Sequence, residues 1–170
     1  MAAPDITADT ITVHAAQTRL VDELYLVDAD IELNLSPVAL EALENGITLT
    51  IMINFEIVRI RRLMWNETVA KLKARRRLSF HPLTNQYLVE DVNAGTTRTF
   101  RNLRDATKAL GQVRHFPLID SYLLQQDERY AFQVRAYLDL ESLPTPLRLL
   151  AYIDPAWYLS SEWYEHPLQH

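Results

Sequence analysis

Eight of the chain's 17 lysines and arginines crowd into one short stretch: Arg59, Arg61, Arg62, Lys71, Lys73, Arg75, Arg76 and Arg77. On a chain of formal charge −5 this is a local positive patch. Cations gathered in this way recognise anions: lipid headgroups, a polyanion or an acidic protein face. They also serve a duller purpose, keeping a solvated hairpin from pairing edge to edge. With a sequence pI of about 5.5 the whole chain is a poor general nucleic-acid binder, so no nucleic-acid partner is expected. A second cluster is aromatic: Tyr152, Trp157, Tyr158, Trp163 and Tyr164. Such side chains anchor interfaces because they bury large areas and keep a polar handle. Trp157, Tyr158, Trp163 and Tyr164 are therefore a candidate interface, although the alternation Trp157, Leu159, Ser161, Trp163 also suits a terminal strand that completes the core.

Catalytic chemistry finds little support. The five histidines, His14, His81, His115, His166 and His170, show neither HxH nor HExxH spacing, and there is no cysteine, so no metal site is expected. Ser160 and Ser161 lack the GxSxG elbow that exposes a hydrolase nucleophile. Asp28, Asp30 and Glu32 share one strand face and resemble a metal-binding or acid–base row, yet alternate acids on a solvent face more often solubilise. The three glycines, Gly46, Gly95 and Gly111, all fall at turns or helix ends, which leaves none for a phosphate-cradling loop. No cofactor and no catalytic residue are expected.

The elements that hold these residues read mainly as strands. Tyr25, Val27, Ala29, Ile31, Leu33 and Leu35 alternate with polar residues, as do Tyr130, Phe132, Val134, Ala136, Leu138 and Leu140. Both runs predict antiparallel strands with one buried face. A long hairpin spans 47–83, with its turn at Met64-Trp65-Asn66-Glu67. Pairing residue 62 with 69 sets Ile57 against Ala74, Ile53 against Leu78, Ile51 against Phe80 and Glu56 against Arg75. The slip in alternation after Ile57 predicts a β-bulge near residue 58. This register leaves Arg76 on the apolar face opposite Phe55, where it needs a buried carboxylate or a second bulge. Further strands are expected at 10–14, 86–92, 96–100 and 157–164, with Asn93-Ala94-Gly95 as a turn.

Ser36, Pro37 and Gly46 punctuate one helix, and Asn102 and Gly111 a second. A third short helix is expected at 117–126, and Pro144-Thr145-Pro146 reads as a connector. These elements predict a single domain over 1–170, with loose ends at 1–9 and 166–170. The expected fold is a mainly β, antiparallel sandwich of about eight strands with two or three short helices; the alternative is an α+β two-layer arrangement. No apolar run is long enough to span a bilayer as a helix. The start, Met1-Ala2-Ala3-Pro4-Asp5, lacks the basic and apolar regions of a secretory signal.

The run Leu78-Ser79-Phe80-His81-Pro82-Leu83-Thr84-Asn85-Gln86-Tyr87-Leu88-Val89-Glu90-Asp91, the Thr99-Phe100 to Gly111 segment and Leu159-Ser160-Ser161-Glu162-Trp163-Tyr164 together resemble an uncharacterised proteobacterial family, domain of unknown function 4390. The resemblance covers about residues 10 to 165. Members look like exported proteins with an N-terminal signal, often encoded beside a nitrogen-type two-component sensor kinase. It implies a periplasmic location with the signal removed, against a cytoplasmic alternative, and supplies no activity or functional residues. The expectation is a non-catalytic exported binding module, engaging a protein or anionic envelope partner through Arg59, Arg61, Arg62, Lys71, Lys73, Arg75 and Arg77 or an exposed strand edge. The competing reading is a carrier with an apolar pocket between the sheets, lined by Phe55, Phe80 and Phe132.

Overall fold

A computed structural model describes residues 10–169. These fold into a mainly β protein with nine strands in two antiparallel sheets and three α-helices. The smaller sheet has the order β1-β2-β7, formed by Ile11–Val21, Leu24–Leu33 and Gln112–Asp120. The larger has the order β6-β5-β4-β3-β8-β9, formed by Thr96–Phe100, Gln86–Asp91, Glu67–His81, Leu49–Ile60, Arg129–Leu138 and Tyr164–Pro167. The alternation in β2 and β8 points Tyr25, Val27 and Ala29 from one sheet toward Phe132, Val134 and Ala136 of the other, all buried in one continuous core. Phe116 of β7 stacks on Phe55 of β3 at 4.6 Å between centroids, and Phe55 in turn lies 6.1 Å from Phe132.

The helices begin where the chain chemistry places them. Ser36 accepts a hydrogen bond from the Ala39 N–H and Pro37 opens α1 (Pro37–Glu44). Asn102 accepts from the Asp105 N–H at 2.8 Å to open α2 (Leu103–Gly111). Gly111 is the last residue of α2, and a Cβ there would lie 1.8 Å from the Ile31 carbonyl oxygen, so only glycine lets the helix press against β2. Gly46, past the end of α1, has φ +87°.

Several expected boundaries are corrected. The β3–β4 register is four residues away from the expected one: Ile53 pairs with Ala74, Leu49 with Leu78 and Glu56 with Lys71, while Arg76 lies opposite Ile51. Residues 61–66 form an open loop in place of a tight turn, which lets Glu67 pair with Arg59. A shift by an even number leaves every side chain on its expected face, so patterning alone cannot see it. The bulge is present between Ile57 and Val58, with the extra residue, Val69, in β4. β3 itself stays in step with β8 throughout.

The segment 112–120 is strand β7, and the helix expected at 117–126 reduces to a single 3-10 turn at Ser121–Leu123. Pro117 and the register breaks beside β2 hide the alternation, which a strand at the sheet edge tolerates. The Pro-Thr-Pro connector instead starts α3 (Thr145–Ala151), with proline in its first turn. The strand expected at 157–164 is a 3-10 turn at Pro155–Trp157, an isolated bridge from Ser160 to Tyr137, and then β9. Pro155 and the Asp154 cap favour that turn, which drops Trp157 into the core. Residues 166–168 are held in the sheet: His166 pairs with Phe132, Pro167 with Ala131, and buried Leu168 donates its N–H to the Tyr130 carbonyl. The stretch 1–9 and His170 lie outside the described residues.

Candidate binding face

Strand alternation in β4 sends Ala74, Arg76 and Leu78 to the core and Lys71, Lys73, Arg75 and Arg77 to the outer face of the larger sheet. Pairing aligns them with β3: Arg77 beside Thr50, Arg75 beside Met52, Lys73 beside Asn54 and Lys71 beside Glu56. β8 extends three of those rows, with Tyr137 beside Met52, Arg135 beside Asn54 and Gln133 beside Glu56. Lys73–Asn54–Arg135 and Arg75–Met52–Tyr137 therefore lie side by side across three strands. Met52 and Thr50 form a buried floor beneath the longer polar side chains.

Charge on this face is only partly balanced. Lys71 approaches Glu56 at 3.7 Å and Arg77 approaches Glu90 at 3.3 Å. Among the described residues no carboxylate pairs with Lys73, Arg75 or Arg135. The Arg135 guanidinium instead lies 5.5 Å from the Tyr137 ring and 5.7 Å from the Trp163 ring, a cation held between two aromatic faces. Asn54 Oδ1 and Arg135 Nε are buried without hydrogen-bond partners. Two recesses flank the rows. One, of about 650 Å³, offers the hydroxyls of Thr48, Thr50, Ser79 and Thr97 beside Arg77. The other, of about 310 Å³, lies beside Arg135, Tyr137, Tyr152 and Tyr158.

The distal part of β4 also has a free edge. β5 pairs only with Arg76 to His81, and beyond that Asn93 clips the strand by accepting the Arg75 N–H and donating to the Lys73 carbonyl. Lys71, Lys73 and Arg75 stand along this edge, the arrangement that discourages sheet-to-sheet aggregation.

The other expected site residues divide. Arg59 turns to the core side, 5.9 Å from the Tyr130 ring, and shares Glu67 with Arg61. Arg62 sits in the hairpin loop with no carboxylate partner among the described residues. Of the four aromatics, Trp163 lies over Arg135 and Tyr158 borders the smaller recess, where its hydroxyl donates to the Tyr152 carbonyl. Trp157 is buried in the core, and half-buried Tyr164 packs against it beside Val134. Arg76 is structural: it donates to the carbonyls of Ala109, Leu110 and Gln112 at the end of α2 and pairs with Asp91 at 3.1 Å.

Asp28, Asp30, Glu32 and Ser161, which carry catalytic overtones, are engaged in the fold. Asp28 pairs with Arg19 at 3.0 Å, Asp30 with Arg114 at 2.6 Å, and Glu32 with His14. Burial acts to raise the Asp28 carboxyl, but the His115 N–H and Arg19 outweigh it and hold the group below its ordinary range. Hydrogen bonds from His14 and Asn34 lower Glu32. Ser161 Oγ accepts the Ala136 N–H and donates to the Glu162 carbonyl, each at 2.9 Å. No group of three or more His, Cys, Asp or Glu among the described residues is placed to hold a metal ion.

A family model described as a domain of unknown function, DUF4390, matches residues 8–167. The chain belongs to the DUF4390 family. No curated protein and no solved structure matches it. For this DUF4390 chain the face must therefore be read from its own geometry. Arg135, Asn54 and Tyr137 are the members that sequence reasoning passed over. The alternation shows that Arg135 points outward, but nothing local reveals that β8 lies against β3.

Proposed function

We propose that this DUF4390 chain is a non-catalytic exported binding module of the periplasm, and that it engages an acidic protein partner through the outer face of the larger sheet. The observation that carries the reading is the cluster Lys73, Arg75 and Arg135, three cations without carboxylate partners on the two strands that flank β3, bordered by Trp163 and Tyr137. Charge steers such an encounter and aromatic anchors hold it. The pairing of Asp28, Asp30 and Glu32 and the engaged hydroxyl of Ser161 support a role without catalysis. The resemblance to exported proteins encoded beside sensor kinases suggests the periplasmic part of an envelope sensor as the partner.

Photo-crosslinking groups placed at Lys73 and at Tyr137 test the reading in cells that express the natural gene. Both positions should capture the same acidic protein from the periplasm. Capture should disappear with Arg75→Glu and Arg135→Glu combined, while circular dichroism shows the protein still folded. Capture that survives charge reversal, or no capture at all, overturns the reading. Recovery of the chain from the cytosol after fractionation overturns the compartment.

A carrier for an apolar ligand finds less support. Phe55 and Phe132 are fully buried in the inter-sheet stack, and Phe80 packs instead on Tyr87 at 4.8 Å. Such a ligand would have to use the recess of about 650 Å³ lined by Val38, Ile47, Leu147 and Leu150, outside the sheets.

A further inference from the structure

The loop at the far end of the β3–β4 hairpin carries Leu63, Met64 and Trp65 in succession, exposed to 97%, 68% and 95%. The other two tryptophans are 4% and 40% exposed. The loop has a defined shape without these side chains, because Asn66 Oδ1 accepts the Arg61 N–H at 3.1 Å and Glu67 ties Arg59 and Arg61 together behind it. Nothing in the fold requires three large apolar groups there. Single exposed apolar residues are ordinary, but a contiguous run at a projecting tip marks a contact surface.

The tip's shape and charge select the occupant. A convex finger of three side chains is far too small for a stable protein interface, which needs about 1,200 Å² or more. It does suit insertion by about 5–10 Å into the headgroup boundary of a bilayer, and tryptophan favours that boundary. Arg61 and Arg62 stand directly behind the apolar run, and Arg62 has no carboxylate partner among the described residues. Arg62 is thus the cation left to meet headgroups, while Arg61 is held by Glu67. The link from Asp120 to Arg129 returns beside the tip, since Arg129 pairs with Ile60, and it exposes Tyr122 and Leu123. They form a second apolar point at the same end of the molecule.

We propose that the Leu63-Met64-Trp65 tip docks this chain on the surface of an anionic lipid bilayer, with Arg62 against the headgroups. The contact is peripheral and reversible, and it leaves the outer sheet face free. It is independent of the protein-binding reading above.

Co-sedimentation with vesicles tests the proposal. The full chain should bind vesicles of phosphatidylglycerol mixed with phosphatidylcholine, weaken as salt rises, and bind pure phosphatidylcholine poorly. Replacing Leu63, Met64 and Trp65 together by serine should lower affinity for the anionic vesicles at least tenfold. Arg62→Glu should lower it about fivefold or more. On the wild-type chain, Trp65 fluorescence should shift to the blue on binding, a change missing from Trp65→Phe. Wild-type binding by the triple-serine variant, or no binding by the wild type, overturns the proposal. The tip variants should still be captured from Lys73, so failure here is distinguishable from failure of the proposed partner face.

Discussion

Arg76 shows how one residue fastens three elements. It occupies a core-facing position of β4 where the alternation calls for an apolar side chain, and it is 9% exposed. Its guanidinium meets three carbonyls at the end of α2 and the Asp91 carboxylate of β5. Burial lowers the Arg76 pKa, and Asp91 works against that shift. Arg76→Met should cost about 3 kcal/mol in urea denaturation, because the carbonyls and Asp91 are left without their donor. Arg76→Lys should recover little, since a point charge cannot reach all four acceptors in the planar fork geometry. Full recovery by lysine would mean that charge alone matters. Asp28 gives the pH dependence. Its folded pKa lies below the ordinary 3.8, so its contribution is present above that value and fades as pH falls through the folded pKa. Melting temperatures should therefore separate wild type from Asp28→Asn at neutral pH and converge in acid. Parallel curves would show that the His115 and Arg19 contacts contribute nothing.

The elements differ in how openly they are written in the chain. β2 and β8 alternate cleanly, and the caps at Ser36 and Asn102 stand where their side-chain oxygens can take an N–H. Their physics is local, and so is their signal. The β3–β4 register is less legible because even shifts preserve faces; the observed pairing brings Glu67 against Arg59 and Arg61. β7 is masked by Pro117 and two register breaks, and the β3–β8 pairing that assembles the basic face joins residues far apart in sequence. Four of the cations on the face, Lys71, Lys73, Arg75 and Arg77, were legible, whereas Arg135 needed the strand order. β9 supplies a direct check. Leu168 is 5% exposed, so Leu168→Ala should cost about 2 kcal/mol or more by thermal or chemical unfolding. A loose tail would tolerate the change. Gly111→Ala should cost about 1–3 kcal/mol, because the added methyl meets the Ile31 backbone rather than a flexible side chain.

Across the molecule the formal charge of −5 conceals two unlike sheets. The smaller pairs Asp28, Asp30 and Glu32 with Arg19, Arg114 and His14, while the larger keeps Lys73, Arg75 and Arg135 free of carboxylates among the described residues. Function and stability should therefore separate. Glycine in place of Leu63, Met64 and Trp65 should change unfolding free energy by no more than about 0.5 kcal/mol, since those side chains are exposed. A large loss would show that the tip supports the hairpin. The strand order has a consequence in time. β3, the partner of β4, waits for β8 on its other flank, and β2 waits for β7. The first hundred residues can close local hairpins, but both sheets keep an open, apolar flank until residues 112–138 arrive. Such distant pairings make closure slow. Until β8 is made a growing chain is thus exposed to aggregation, and guarding that interval falls to whatever holds the unfinished chain.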